Sequence, residues 1–236
     1  FPDICVGGVF TLIFWAHSFL GLWLSLLALT ALVPQLITRD RGSNALTVYL
    51  SRPLTSVDYL FGKFGIIVGV LVSMWTGPLL FGWVLSMLFA TDSDFVVYSF
   101  SPLLHALLFN AVGLVALAAI ALGVSACSRT ANTTTAIWMG LWLILSAVAT
   151  PPVAPDWLKR TSFQRDLNEV RQRVFQLDTV LTEAGETLPF LDQRTVANLA
   201  AAGKRAQASD FDGSLASLGA FVALSSFVFF RRLRPE

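Results

Sequence analysis

Long stretches without a charged side chain make up most of the sequence, and five of them can each cross a lipid bilayer. They are residues 4–38, 64–91, 95–128, 130–155 and 213–230. An α-helix rises 1.5 Å per residue, so about 20 apolar residues span the hydrocarbon core. The pattern therefore predicts an all-α, polytopic transmembrane helical bundle with five visible spans.

One polar segment interrupts this pattern between the fourth and fifth stretches. Residues 156–212 hold 17 of the 31 charged side chains. We therefore predict three parts: transmembrane spans in residues 1–155, with a short polar element at 37–63, then an insertion in residues 156–212. Residues 213–236 form the last span and a basic tail.

Composition favours a membrane protein over a soluble enzyme with a large core. The 236 residues are 55% hydrophobic and 13% charged, whereas a soluble domain carries about a quarter charged residues. The net charge is +1, and no basic patch is interleaved with aromatic residues. A nucleic-acid partner is therefore not expected.

The distribution of basic residues predicts how the spans are oriented. All eight basic residues outside the insertion fall in alternate connections, and the other connections hold only acidic residues. Lysine and arginine mark the cytoplasmic side of a membrane protein. The element at 37–63, the turn near residue 129 and the tail are therefore cytoplasmic, and the insertion is extracytoplasmic. The eight residues are Arg39, Arg41, Arg52, Lys63, Arg129, Arg231, Arg232 and Arg234.

Five spans place the two ends of the chain on opposite sides of the membrane. The sequence begins with Phe1 rather than with methionine. One further span before Phe1 would give six spans with both ends in the cytoplasm, and this is the arrangement we expect.

The cytoplasmic element at 37–63 is longer than a simple connection requires. Leu46, Tyr49 and Leu50 recur at helical spacing and give a short apolar face. The sequence "SRP" then ends that helix, because proline disfavours helical geometry in the residue before it. Thr55 and Asp58 have the spacing of a capping box for the next helix. Two interpretations stay open: a loop that only orients the protein, or a docking element for a soluble partner.

The segment "RDRGSNALTVYLSRPLTSVDYLFGKF" resembles the cytoplasmic segment of ABC type-2 permeases, the membrane subunits of many bacterial ABC exporters. Asn44 departs from the family pattern, which often has glycine or threonine there. The matching residues are Arg39, Asp40, Arg41, Gly42, Leu46, Leu50, Ser51, Arg52, Pro53, Tyr59, Leu60, Gly62 and Lys63.

The resemblance implies a coupling helix that contacts a separate ATPase subunit. The residues expected at that interface are Asp40, Arg41, Asn44, Leu46, Tyr49, Arg52 and Pro53. It also implies a second permease chain, identical or paralogous, and a location in the bacterial inner membrane. ATP and Mg²⁺ would be bound by the ATPase, and no cofactor is expected in this chain.

The residues themselves agree that the nucleotide site lies elsewhere. Two Gly-Lys pairs occur, at residues 62–63 and 203–204, but Val57 and Asn198 replace the glycine that a phosphate-binding loop needs five positions earlier. No Ser-His-Asp, Cys-His or paired-carboxylate arrangement is recognisable either. We therefore expect no catalytic site and no metal site in this chain.

The sequence pattern of the insertion predicts a helical hairpin outside the membrane. Apolar residues follow steps of three and four from residue 167 to 181, which is a heptad pattern, and a second helix is predicted near 191–208. Three interpretations stay open: a solvated hairpin at the mouth of the protein, a docking surface for a periplasmic protein, or a gate over the exit. The heptad residues are Leu167, Val170, Val174, Leu177 and Leu181.

Few polar side chains fall within the predicted spans. His17, His105 and Asn110 are the candidates. For His17, packing is favoured over a substrate contact; His105 is expected at the external membrane interface, and Asn110 is expected to form a hydrogen bond to a neighbouring helix. No predicted span contains a carboxylate, lysine or arginine, which argues against a proton-driven carrier. The substrate path remains unassigned.

Two functions are compatible with these sequence features. The first is the permease subunit of an ATP-driven exporter, which couples hydrolysis in a separate ATPase to movement of a substrate. The alternative is a mechanical transmitter or scaffold, which relays work from the ATPase through residues 156–212 to a periplasmic partner without transport.

Overall fold

A computed structural model describes the chain over residues 2–36, 56–90, 93–128, 130–149, 155, 158, 160–187, 193–207 and 210–233. Every regular element in these ranges is helical, in agreement with the predicted all-α class. Two of the long helices contain a π-helical turn, which inserts one residue into the regular α-helical pattern.

The helices are numbered in chain order. The first half of the chain contains α1 (Pro2–Leu36), α2 (Ser56–Leu71), a first π segment (Val72–Thr76), α3 (Gly77–Phe89) and α4 (Asp94–Cys127). The second half contains α5 (Ala131–Met139), a second π segment (Gly140–Ile144), α6 (Leu145–Ala149), α7 (Phe163–Val174), α8 (Leu177–Thr187), α9 (Gln193–Gln207) and α10 (Phe211–Leu233).

Four helices are long and apolar enough to cross a membrane. They cover Gly7–Leu36, Val57–Phe89, Asp94–Cys127 and Phe211–Arg231, and they coincide with four of the five predicted spans. The remaining predicted span, residues 130–155, contains the continuous helical run from α5 to α6 but is not among these four. The span at residues 130–155 therefore stays a prediction, as does any span before Phe1.

Helix α4 is the centre of the described bundle. Every side chain from residue 116 to residue 126 is buried, and α4 contacts α1, α2, α7 and α10. This stretch, "ALAAIALGVSA", consists mostly of small residues, which let neighbouring helices approach closely. A methyl group added at Gly123 would lie 2.7 Å from the Cβ atom of Ser225, so α10 crosses α4 at this point.

The polar insertion does not form the single hairpin that we predicted. Helix α7 packs along the first half of α10 and against α4. The ring of Phe163 lies 6.4 Å from that of Phe221, and the Ser214 hydroxyl donates to Glu169 at 2.6 Å. These contacts make α7 antiparallel to α10. Leu167 and Val170 are buried there, so the first part of the heptad pattern faces the spans rather than a hairpin partner.

The predicted heptad helix also breaks in the middle. Helix α7 ends at Val174, and Gln176 has a φ of 49°, in the left-handed region that non-glycine residues seldom adopt. Beyond this turn, α8 packs against α9. The Cα of Gly203 allows the close approach, since an added methyl group would lie 3.2 Å from the Asp178 carbonyl oxygen. Helices α8 and α9 thus form the antiparallel pair.

Candidate functional site

The predicted ATPase interface lies outside the described residues. Asp40, Arg41, Asn44, Leu46, Tyr49, Arg52 and Pro53 all belong to residues 37–55. The structure describes the two helices that flank this segment, which are α1, ending at Leu36, and α2, beginning at Ser56. The interface assignment therefore remains a prediction.

The beginning of α2 carries the last residues of the family-like segment. Asp58 lies in the first helical turn, where a negative charge favours the helix dipole. The ammonium group of Lys63 lies 5.5 Å from the ring centre of Tyr59, a cation–π contact. This end of α2 is amphipathic enough to anchor the span at the membrane surface.

The first π segment places Trp75 in a notch between two other helices. Trp75 is fully buried, and its ring lies 5.6 Å from that of Phe109 on α4. Methyl groups added at Gly21 on α1 and at Gly113 on α4 would each lie 2.7 Å from an indole carbon. The two glycines therefore leave room for the indole, which packs against α1 and α4 at the same time.

Two of the polar residues singled out in the spans lie at this same point. Nε2 of His17 donates a hydrogen bond to the carbonyl oxygen of Trp75 at 3.0 Å. Nδ2 of Asn110 donates to the Thr76 hydroxyl at 3.4 Å. Both side chains therefore form a hydrogen bond to the π segment. This supports the packing interpretation of His17 and the helix-to-helix interpretation of Asn110.

The second π segment also faces α1. The ring of Trp142 lies 5.7 Å from that of Trp23. One turn earlier, Nε1 of Trp138 donates to the Thr30 hydroxyl at 3.2 Å. Helix α1 is therefore held by a buried tryptophan from each of the two interrupted helices. π turns often occur at functional positions in helices, and no sequence pattern indicates either one.

The apolar face of α7 is inserted among these helices. Phe163, Leu167 and Val170 are all buried. The ring of Phe163 lies 6.3 Å from that of Trp138, and Phe175 at the far end of α7 lies at the same distance from Phe109. Helix α7 therefore contacts the same core that holds Trp138 and the Trp75 notch.

A buried arginine joins α7 to α1. Arg171 is 2% exposed, and its guanidinium carbon lies 4.6 Å from the ring centre of Trp15 and 4.9 Å from that of Phe19. Its Nη2 donates to the Asn168 side chain. Nε and Nη1 have no hydrogen-bond partner among the described residues. Burial lowers the pKa of Arg171 to about 10, so the group stays charged at neutral pH and relies on the two rings.

Charged groups also join α7 to α10. Arg165 forms an ion pair of 2.8 Å with Glu169, which in turn accepts the hydrogen bond from Ser214. At the beginning of α10, Arg160 pairs with Asp210. The pKa of Asp210 lies below its ordinary value because the Gly213 amide and then Arg160 stabilise the ionised carboxylate.

Asp166 is a buried acidic residue of α7 at the contact with α10. It is 2% exposed, and its Oδ2 has no hydrogen-bond partner among the described residues. Burial, with a smaller contribution from the negative charge of Glu169, raises its pKa to about 6, while the Ser217 hydroxyl has the opposite effect. Ionisation of the Asp166 carboxyl group therefore opposes the packing of α7 against α10.

The buried side chains of α7 contact at least three other helices of the chain. Among the described residues, no three His, Cys, Asp or Glu side chains are grouped as metal ligands would be. The buried groups instead tie α7 to α1, α4 and α10. Neither Arg171 nor Asp166 was predicted from the sequence, because a charged residue at a single helical position gives no sign of what will cover it. Their place next to the apolar face of α7 was the only signal.

The fold and its apolar helices define a multi-pass α-helical membrane protein. Comparison with protein families gives a match to the ABC-2 family transporter proteins over residues 21–232. Comparisons with curated proteins and with solved structures give no significant match. The match covers most of the chain, so this protein belongs to the ABC-2 transporter family and is a permease subunit of an ABC transporter. Membership implies an ABC ATPase as partner and dimerisation in the membrane.

Proposed function

We propose that this chain couples ATP hydrolysis by a separate ATPase to the export of a substrate across the bacterial inner membrane. The observation that carries the proposal is the family match, which includes the element at residues 37–63 and extends through the last span. The arrangement of basic residues supports a cytoplasmic position for that element.

The proposed mechanism follows from the position of residues 37–55 between α1 and α2 in the chain. Two permease chains, identical or paralogous, pair above two ATPase subunits, which bind ATP and Mg²⁺. Closure of the ATPases displaces residues 40–53, and α1 and α2 flank this segment directly. Since α1 and the π segment after α2 share the Trp75 notch, a displacement at either helix reaches α4 and α7 through packed side chains. Reorientation of these helices moves the substrate between the two permeases.

Substitutions at the coupling element test this proposal. We expect Arg41→Glu, Leu46→Ala and Tyr49→Ala each to weaken co-purification with the ATPase subunit, because each removes or reverses part of the predicted contact. Loss of one contact of about 1.4 kcal/mol lowers the affinity about tenfold. The measurements are pull-down of the ATPase and ATP hydrolysis by the complex in vesicles.

Arg234→Glu is the matched control, since it reverses a basic charge on the same predicted membrane side but outside the element. It should leave both association and hydrolysis unchanged. Equal association of the ATPase with wild-type protein and with all three element variants would show that the contact lies elsewhere.

A second candidate function is mechanical transmission to a periplasmic partner. The observation that favours it is the connection of α7 to the spans through Arg171 and Glu169, with the α8–α9 pair attached beyond Phe175. Movement of α1 or α10 would then move the α8–α9 pair as well. In this proposal the pair presents the surface for the partner.

The structure defines a deletion that separates the two candidates. Replacing residues 177–207 with a short Gly-Ser linker removes α8 and α9 but keeps the buried face of α7. An exporter should still move its substrate and stimulate ATP hydrolysis after this deletion. If the intact protein moves no substrate, and an ATP-dependent activity of a periplasmic protein is lost on deletion, the transmitter function is correct.

A further inference from the structure

The two π segments differ in how firmly other helices hold them. In the first, Trp75 fills the space that Gly21 and Gly113 leave on α1 and α4. Its carbonyl oxygen accepts the hydrogen bond from His17. Pro78 follows in the first turn of α3 and has no N–H group to donate, so regular α-helical hydrogen bonding is interrupted there. The first π segment is therefore a fixed part of the core.

The second π segment is held by fewer contacts. It meets other helices chiefly through Trp142, whose ring lies 5.7 Å from that of Trp23 in an edge-on arrangement. The indole Nε1 of Trp142 has no hydrogen-bond partner among the described residues. The next two residues of the segment, Leu143 and Ile144, are exposed. Less therefore opposes a change of shape in the second segment than in the first.

The residues around the second π segment favour bending. Gly140 begins the segment, and a methyl group added there would come no closer than 3.8 Å to its nearest neighbour, the Ile144 side chain. Packing therefore does not require this glycine, although glycine lowers helix stability relative to alanine. The Ser146 hydroxyl donates to the carbonyl oxygens of Trp142 and Leu143, and such bonds bend helices. Sharp helix kinks occur at π turns and at glycine and serine residues.

The two sides of this segment contact different parts of the bundle. On α5, Thr134 and Trp138 are buried, and Nε1 of Trp138 donates to the Thr30 hydroxyl of α1. On the other side, α6 contacts α7, which belongs to the polar insertion. The second π segment therefore lies between a helix that is bonded to α1 and a short helix that is packed against α7.

We propose that the second π segment is a hinge at which α6 swings relative to α5. Helix α5 stays on α1 through Trp138, whereas Trp142 separates from Trp23 as α6 moves along α7. No side-chain hydrogen bond of Trp142 to a described residue has to break in this movement. The first π segment stays rigid and keeps Trp75 in place. The proposal concerns the isolated chain and does not depend on the coupling to an ATPase.

The test measures distances between two spin labels on the purified full chain in lipid nanodiscs. Cys5→Ser and Cys127→Ser remove the native thiols. Leu108→Cys provides the reference label on α4, and it is combined either with Ala147→Cys on α6 or with Ile137→Cys on α5. All three labelled positions are exposed. We expect a broad distance distribution for the label on α6 and a narrow one for the label on α5.

Gly140→Ala should stiffen the hinge without changing a contact. The distribution for the label at Ala147 should then narrow to the width that is measured for the label at Ile137. Gly219→Ala is the matched control, because a methyl group there would meet no atom within 4 Å and the surrounding helix α10 contains no π turn. It should leave both distributions unchanged.

Deletion of Ile144 tests the hinge more directly, since a π turn holds one residue more than an α-helix. The deletion should restore a continuous α-helix, keep the contacts on both sides, retain the melting temperature and narrow the distribution on α6. Deletion of Leu224 is the control. Both residues are 62% exposed, but α10 has no additional residue to lose. Its deletion should displace Ser225 from Gly123 and lower the melting temperature by roughly 10 °C.

Three results would overturn the proposal. Equally narrow distributions for the labels on α5 and α6 in otherwise unchanged protein would show that α6 does not swing. An unchanged width in both Gly140→Ala and the Ile144 deletion would place the movement elsewhere. A loss of stability on deletion of Ile144 as large as that on deletion of Leu224 would show that packing requires the additional residue.

Discussion

The Gly21→Ala variant is expected to lower the apparent melting temperature of the purified protein by roughly 5–10 °C. The added methyl group would lie 2.7 Å from Cγ of Trp75, with two further ring atoms nearer still. Overpacking of this kind costs about 1–3 kcal/mol and sometimes more, and about 2–4 °C per kcal/mol applies to chains of this size. Thermal denaturation in one detergent, followed by intrinsic fluorescence, measures the shift.

Gly69→Ala is the matched control on the neighbouring span. A methyl group at Gly69 would meet no atom within 4 Å, and alanine is favoured over glycine in a helix by up to about 1 kcal/mol. Gly69→Ala should therefore keep or slightly raise the melting temperature. The collision with Trp75 is tested by Trp75→Phe, which should make Gly21→Ala less harmful than in the wild-type background. If Gly21→Ala and Gly69→Ala changed the melting temperature equally, the close contact between Gly21 and Trp75 would be contradicted.

The second large effect is expected for Asp166→Asn, and it depends on pH. The pKa of Asp166 is raised from 3.8 to about 6 in the folded protein. At pH 7.5 the carboxylate is ionised in both the folded and the unfolded chain, and its burial weakens the fold. As the pH falls through 6, the folded protein binds a proton, and the free energy of unfolding rises until it levels off near pH 4.

Asparagine keeps the shape of Asp166 but carries no charge. Asp166→Asn should therefore be more stable than wild-type protein at pH 7.5, by roughly 1–3 kcal/mol. The gain should decline as the pH falls through 6 and disappear near pH 4. Apparent melting temperatures of both proteins between pH 4 and pH 8 measure this. A gain that is the same at pH 4.5 and pH 7.5 would show that the charge is not the cause.

Asp210→Asn provides a control of opposite sign. The pKa of Asp210 is below its ordinary value, because the Gly213 amide and Arg160 stabilise the ionised form. Its contribution is therefore present above the ordinary pKa and is lost only as the pH falls below it. Asp210→Asn should lower the stability slightly at pH 7.5, with no change across pH 6. The residue is exposed, so the effect is small.

The sequence was sufficient to predict four membrane-spanning helices, because a membrane requires long charge-free stretches and few other structures produce them. Helices Asp94–Cys127 and Phe211–Arg231 begin and end close to the predicted limits. The resemblance in residues 37–64 was enough to predict the family, which the match over residues 21–232 confirms. The role of residues 40–53 at an ATPase interface stays a prediction.

The arrangement of α7 could not be predicted from the sequence. The spacing from Leu167 to Leu181 identified an apolar face, but spacing does not say which surface covers that face. It also carried no sign of the left-handed turn at Gln176. The two π segments were equally unpredictable, because they depend on contacts far apart in the chain, such as the hydrogen bond from His17 to the Trp75 carbonyl.

The enclosure of α4 limits how two copies of this chain can be related by symmetry. Residues 116–126 are covered within a single chain, so this part of α4 has no free side to offer across a two-fold axis. Of the four described spans, Val57–Phe89 and Phe211–Arg231 are the least covered. In their most apolar stretches only 22% and 17% of the residues are buried. In a homodimer we therefore expect the two-fold axis to run beside one of these two spans, with α4 at a distance from it as the internal support of each protomer.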